Sequence, residues 1–174
     1  GMFSNLDAMA YYCMLRHFQP RRVLEIGSGH STRVALQALD RNGSGELLSI
    51  EPYPSDALKN MPITLQTGFA QDFGPEFFND QLADGDVFFI DSTHTVKASS
   101  DCCHLYLRIL PQLRRNVIVH VHDIALPQGI NVNNAIERQI YWTEQYLLAA
   151  MLLCGAPPFR VTVPVIGRSS EATR

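Results

Sequence analysis

The chain has 174 residues, 46% of them hydrophobic and 18% charged, and its 14 Lys and Arg against 17 Asp and Glu give a formal net charge of -3. This length suits one globular domain, and with no basic run longer than the Arg21-Arg22 and Arg114-Arg115 pairs a nucleic-acid partner is not expected. No stretch approaches the roughly 18 apolar residues that cross a bilayer, and the N-terminus lacks the order of a signal peptide, so no membrane partner and a cytoplasmic location are expected. Cys13, Cys102, Cys103 and Cys154 have neither CxxC spacing nor the density of a disulfide scaffold and are read as reduced core thiols. Gly1 before Met2 reads as a tag remnant, residues 2–168 as a single domain and 169–174 as a frayed tail.

Ser4-Asn5-Leu6-Asp7 has the spacing of a helix N-cap, and Leu6, Met9, Cys13, Met14 and Phe18 follow at helical intervals before Pro20. Residues 22–26 (RVLEI) form a short aliphatic strand, Gly27-Ser28-Gly29 a tight turn and 31–39 a helix. After a loop at 41–45, residues 46–51 (ELLSIE) make a second strand that Pro52 and Pro54 stop, and Ser55 is placed to cap a short helix through Asn60. Residues 63–67 and 86–91 (DVFFID) read as the third and fourth strands, with a helix over 73–82 between them. Val96, Cys103, Tyr106, Leu107 and Leu110 predict a long helix over 95–110, followed by a fifth strand at 117–121. A loop with Pro127 and Gly129 then leads to a helix over 134–154 and a last strand at 159–165. Aliphatic strands alternating with helices predict an α/β fold with a doubly wound, mostly parallel sheet covered by helices on both faces.

In such a sheet ligands bind beyond the carboxyl ends of the strands, where strand order reverses. The polar clusters of this chain fall at those ends: Gly27-Ser28-Gly29 after the first strand, Glu51 after the second, 68–72 after the third, 91–94 after the fourth, and His120, His122 and Asp123 at the fifth. Glycines let a ligand approach the backbone, and the N–H groups of the helix starting near Ser31 point at it. Glu51 lies 22 residues beyond Gly29, near the offset of about 20 at which an acid meets ribose hydroxyls. The third glycine of the dinucleotide pattern and the GK[ST] of a phosphate loop are both absent. Glu25, Glu51, Asp72, Asp91 and Asp123 crowd the expected cleft, with Arg33 and Lys97 the nearby cations in sequence, so the pocket suits a cation better than a pyrophosphate.

VLEIGSGHST, SIEPYP, GFAQD, FFIDSTHT and VHVHDI, in this order and spacing, resemble the successive motifs of class I S-adenosylmethionine-dependent methyltransferases, which have a Rossmann-like methyltransferase fold. The resemblance implies that Glu25, Gly27, Ser28 and Gly29 line the methionine moiety, with Ser31 near its carboxylate. It implies Glu51 on the ribose, Ala70, Gln71 and Asp72 at the adenine, and Asp91 where the methyl group and a small-molecule or sugar hydroxyl meet. GFAQD is similar to the adenine-contacting segment of catechol-type O-methyltransferases. FIDSTHT, VHVHDI and WTEQYLLAAML look most like a branch of small, mostly uncharacterised methyltransferases with IDG-x-H and HD at these strand ends, where Ser92 of this chain replaces a glycine. The family usually adds a seventh strand in a terminal hairpin; nine residues remain after Val165, so that strand is expected to be short or missing. The first helix and residues 126–134 are then left to wall the acceptor pocket, with a homodimer partner as a further source.

Asp91, His94, His120, His122 and Asp123 supply oxygen and nitrogen donors from neighbouring strand ends. One reading is base catalysis, with Asp91, His122 and then His94 as the catalytic residues. A second is a divalent ion such as magnesium on Asp91, His122 and Asp123, lowering the pKa of the acceptor hydroxyl. A third is structural, with His120 bonded to backbone and Asp123 capping a turn. The rivals to a methyltransferase are a module that binds the cofactor without turnover and a nicotinamide-dependent oxidoreductase.

Overall fold

The computed structural model describes residues 3–114, 116–130 and 132–154. The expected strand at 159–165, the seventh-strand question, the tail at 169–174 and Gly1 lie outside the described residues. Five parallel strands form one sheet in the order β3-β2-β1-β4-β5: β1 (Arg22–Ile26), β2 (Glu46–Ile50), β3 (Thr64–Gln66), β4 (Val87–Ile90) and β5 (Ile118–Val121). The chain runs outward from β1 to β3 and then returns to lay β4 against the other side of β1, so strand order reverses between β1 and β4. Register aligns Ile26 with Ile50 and Ile90, and Ile90 with Val121. Residues following these positions therefore emerge along one edge, around the switch point.

Alternation along the strands divides the core between the two faces of the sheet. Leu24, Leu48, Phe88 and Ile90 pack with Phe78 of α4 (Pro75–Gln81) and with Cys102, Leu105 and Ile109 of the helical segment that starts as α5 (Asp101–His104). Val23, Leu47, Val87 and Phe89 pack with Tyr11 and Leu15 of α1 (Asn5–Phe18) and with Ala35, Ala38 and Leu39 of α2 (His30–Asn42). The α1 start is the predicted capping box: the Asp7 N–H donates to Ser4 Oγ at 3.2 Å and the Ser4 N–H to Asp7 Oδ2 at 2.8 Å. Tyr11 is fully buried and stacks on Phe89 with ring centroids 4.3 Å apart, anchoring the helix beside β4.

Two helices differ from expectation. The segment predicted helical over 95–110 becomes so only at Asp101, because Ser99 takes φ +61° and the Ser100 hydroxyl caps the helix by accepting from the Cys103 N–H. It continues with a wide turn over Leu105–Ile109 and a tight one over Leu110–Gln112. The helix predicted over 134–154 is two, α6 (Val132–Glu137) and α7 (Glu144–Leu153), separated where Gln139 takes φ +54°. The short α3 (Asp56–Lys59) is capped by Ser55 as predicted. Of the four free cysteines Cys102 alone is buried; Cys13 and Cys154 are exposed, so the core reading fails for them. Among the described residues no helix is long and apolar enough to cross a membrane.

Candidate active site

The turn after β1 is built around a close approach. Gly27 has φ +80°, and a Cβ there would lie 2.5 Å from the carbonyl oxygen of Asp91. Its N–H donates to the Ile50 carbonyl, tying three strand ends together at one residue. Ser28 Oγ lies 2.6 Å from Ser49 Oγ, and Ser31 is buried in the first turn of α2. Beneath them Glu25 is fully buried: Tyr11 Oη donates to its Oε1 at 3.3 Å and Thr32 Oγ1 to its Oε2 at 2.8 Å, while the Gly29 N–H donates to Thr32 Oγ1 at 3.0 Å. Glu25 thus holds the turn from below.

Burial pushes the Glu25 carboxyl up to about 7, against the hydrogen bonds from Thr32, Ser31 and Tyr11. The folded protein therefore holds a proton that the unfolded chain has released, and the carboxyl loses stability for the fold as pH rises from about 4.5 to about 7. Glu25→Gln removes this penalty. Its stability relative to the parent should rise by about 3 kcal/mol across that window in urea melts at a series of pH values, and a flat difference would show that Glu25 titrates normally.

At the β2 and β3 ends, half-buried Glu51 accepts the Tyr53 N–H on Oε1 at 2.9 Å. Asp72 Oδ2 closes the turn over Ala70–Asp72 by accepting the Phe69 N–H at 2.8 Å, and Gln71 Nε2 donates to the Ser99 carbonyl at 3.1 Å. Tyr53 and Phe69, both exposed, meet edge to face with centroids 5.9 Å apart. This aromatic pair was not singled out in the sequence, because isolated aromatics in loops carry no periodic signal.

At the β4 and β5 ends the predicted residues come together. His94 Nε2 lies 3.3 Å from Asp91 Oδ1 and 3.8 Å from Asp123 Oδ2; His122 Nδ1 lies 3.4 Å from Asp91 Oδ1 and 3.5 Å from Asp123 Oδ2. His94 and Asp123 both adopt left-handed backbone, φ +57° and +54°, a conformation costly enough to require support from neighbours. That support is visible for His94. Its N–H donates to Ser92 Oγ at 3.0 Å, and Asp101 grips the loop through the Thr93 N–H at 2.7 Å and Thr93 Oγ1 at 2.6 Å. The left-handed residue of this turn is His94, so the serine at 92 is accommodated and contributes its hydroxyl.

Two further carboxylates reach the cluster from distant parts of the chain. Glu144, 1% exposed at the start of α7, places Oε2 2.7 Å from His94 Nδ1, and the Thr143 and Glu144 N–H groups donate to the His94 carbonyl. Trp142 lies against the His94 ring, centroids 4.6 Å apart. Asp7 of α1 lies 3.6 Å from His122 Nε2, and Phe3 covers the same ring at 5.1 Å. No spacing rule links residue 144 to residue 94, so the sequence carries no signal of this pairing.

Burial opposes charge on Asp91, but His122 and His94 outweigh it and hold the carboxyl well below the usual range. Burial likewise disfavours the charged ring of His94, but Asp91 and Glu144 raise it to about 9. His122 is raised by Asp91, Asp123 and Asp7 against burial. His120 stands apart from the cluster, wedged edge-on between Tyr11 and Phe89; burial and then the charge of His122 lower it to about 4, and its Nδ1 has no hydrogen-bond partner, contrary to the backbone bond expected of a purely structural ring. His17 and His30 are exposed, and His104 bonds the Phe73 carbonyl at the edge of the core.

A parallel sheet reversing at β1 and β4, with a glycine turn on one side of the switch point and a carboxylate-histidine cluster on the other, defines an α/β protein whose polar groups gather where open sheets of this kind bind ligands. A family model described as a methyltransferase domain matches residues 24–124, from β1 to just beyond Asp123, and the chain belongs to that family. An uncharacterized protein of Archaeoglobus fulgidus is 44% identical over 61 residues, which are 34% of this chain and 28% of that protein; the chain thus spans under a third of the curated relative it matches. The crystal structure of the O-methyltransferase TomG from Streptomyces achromogenes, involved in tomaymycin synthesis and solved in complex with S-adenosylmethionine, is similar in fold, with a TM-score of 0.57 and 19% identity over 88% of this chain and 70% of that one.

Proposed function

We propose that this protein transfers the methyl group of S-adenosylmethionine to a hydroxyl oxygen of a small molecule or sugar. The observation that carries this reading is the contact of Gly27 with the Asp91 backbone, which puts the glycine turn and the His94-His122 cluster on the two sides of one crevice. In this reading Gly27, Ser28, Gly29 and Ser31 face the amino acid end of the cofactor, with Glu25 locking the turn beneath it. Glu51 takes the ribose, and Ala70, Gln71 and Asp72 the adenine, with Tyr53 and Phe69 as a flanking aromatic edge. The site fits this ligand on chemical grounds, since the Glu51, Asp91 and Asp123 carboxylates at the strand ends favour a sulfonium.

S-adenosylmethionine held by these residues would supply a methyl carbon made electrophilic by its positive sulfur, with a neutral thioether, keeping the C–S electron pair, as the group left behind when an acceptor oxygen is methylated. The chain's own task is to place that oxygen in line and remove its proton. Asp91 holds the acceptor side of the crevice, with His94 and His122 on it. The Glu144 carboxylate fixes the Nδ1 side of His94 and leaves Nε2 toward Asp91; with the ring raised to about 9, it serves as a base only as pH rises toward that value.

Calorimetric titration with S-adenosylmethionine and S-adenosylhomocysteine is expected to show one saturable site per chain, weakened at least about tenfold in Glu51→Ala because a hydrogen-bonded carboxylate is lost. Binding of nicotinamide cofactors instead would overturn the reading. Saturable binding without methylated product from any hydroxylated acceptor would leave a cofactor-binding module.

A further inference from the structure

We infer that Asp7 of α1 is a positioning residue for the transfer reaction: its carboxylate stands behind His122 and holds that ring with Nε2 toward α1 and Nδ1 toward Asp91 and Asp123. The placement of the ring stands on its own, whereas its part in methyl transfer rests on the function proposed above.

His122 is 4% exposed, and neither ring nitrogen has a well-formed hydrogen bond. Three carboxylates surround it instead: Asp91 Oδ1 at 3.4 Å and Asp123 Oδ2 at 3.5 Å from Nδ1, and Asp7 Oδ2 at 3.6 Å from Nε2. Turning the ring over about its Cβ–Cγ bond would exchange Nδ1 with Cδ2 and Nε2 with Cε1, leaving carbons where nitrogens now face the carboxylates. A buried ring needs that selection, because an imidazole nitrogen shut away from both water and protein partners is costly. On the Nε2 side Asp7 alone supplies it: among the described residues no other carboxylate comes within 4.0 Å of that nitrogen. A separation of 3.6 Å exceeds that of a formed hydrogen bond, as such contacts commonly do before a substrate fills the site.

The local structure holds Asp7 in this place. Oδ2, the atom nearest His122, also accepts the Ser4 N–H at 2.8 Å, so the capping box fixes the rotamer of the carboxylate. Tyr11, one turn further along the same face of α1, stacks on Phe89 and donates to Glu25, which pins the helix to β4 and to the turn after β1. Phe3, just before the cap, lies over the His122 ring at 5.1 Å and meets Tyr11 and Phe89 edge to face, both at 6.3 Å. One short segment thus delivers the carboxylate and covers the ring.

The two histidines are supported in the same manner. Glu144 stands behind Nδ1 of His94 at 2.7 Å, and Asp7 behind Nε2 of His122. With both rings so held, His94 Nε2 and His122 Nδ1 converge on one atom, Asp91 Oδ1, at 3.3 and 3.4 Å. Asp7 and Glu144 both lie outside residues 24–124, the part of the chain that matches the methyltransferase domain, so this support comes from helices on either side of it. A carboxylate behind an imidazole fixes which nitrogen faces the reacting groups, so its loss should slow the transfer step rather than weaken cofactor binding.

Two variants of the full chain separate this role from that of a helix cap. Asp7→Asn keeps an oxygen for the Ser4 N–H and removes the charge facing His122; Ser4→Ala breaks the same box and keeps that charge. Proton-nitrogen imidazole spectra follow the His122 Nε2–H with neither cofactor nor acceptor present. Its exchange with solvent should quicken at least about tenfold in Asp7→Asn and stay within about threefold of the parent in Ser4→Ala. On a hydroxylated acceptor methylated by the parent, kcat should fall at least about tenfold in Asp7→Asn, with KM for S-adenosylmethionine within about threefold, and Ser4→Ala should keep its kcat. Unchanged exchange in Asp7→Asn, an equal response in the two variants, or a change in KM alone would overturn the inference and leave Asp7 as a cap. Quickened exchange with no methylation by the parent upholds the placement of the ring and overturns the methyltransferase; methylation with unchanged exchange does the reverse.

Discussion

Gly27→Val is expected to destabilise the fold by roughly 3 kcal/mol or more and to abolish cofactor binding. A β-branched residue at φ +80° carries a left-handed backbone cost of about 1–2 kcal/mol. The larger penalty is the collision: the new Cβ would lie 2.5 Å from the Asp91 carbonyl oxygen, backbone that cannot rotate away. Relief means parting β1 from β4 at the switch point, which breaks the Gly27 N–H bond to Ile50 and moves Asp91 itself. Gly29→Ala is the control. A Cβ at Gly29 meets nothing within 4 Å, so that variant should lose less than about 1 kcal/mol in urea melts. Equal losses in the two variants would show that the turn is not governed by the approach of Asp91.

Glu144→Ala should cost about 3 kcal/mol and Glu144→Gln about 1–2 kcal/mol. Glu144 and His94 form a buried pair 2.7 Å apart, and removing one partner leaves the other without its hydrogen bond in a site closed by Trp142. Glutamine keeps an oxygen to accept the Nδ1–H but gives up the charge. Because Thr143 and Glu144 also bond the His94 carbonyl through their backbones, the loop and α7 should stay docked in the glutamine variant. Chemical denaturation of both variants, with imidazole proton spectra to follow His94, checks the order. A loss in the alanine variant below about 0.5 kcal/mol would place Glu144 outside the framework of the site.

The strands were legible because a parallel sheet buried on both faces demands short aliphatic runs, and RVLEI, ELLSI and VFFI have no competing periodicity. The helices after β4 were less so. Val96 sits at a helical interval from Cys103, yet the segment before Asp101 is spent on a loop that presents His94, and hydroxyl and carboxylate bonds from Ser92, Asp101 and Thr143 outweigh local propensity there. The break between α6 and α7 has a similar origin, since residues 142–144 must meet the His94 loop.

The sequence by itself determined the order of elements, the parallel sheet and the polar residues at each strand end, since these follow from burial, alternation and turn chemistry within a few residues. Only the tertiary structure decided which of those polar groups share a site. It separated His120 from His94 and His122, put Glu25 beneath the turn, and brought Asp7 and Glu144 to the two histidines. Such pairings rest on distances of a few ångströms between residues far apart in the chain, and they are set by how helices dock on the sheet, which no local pattern encodes.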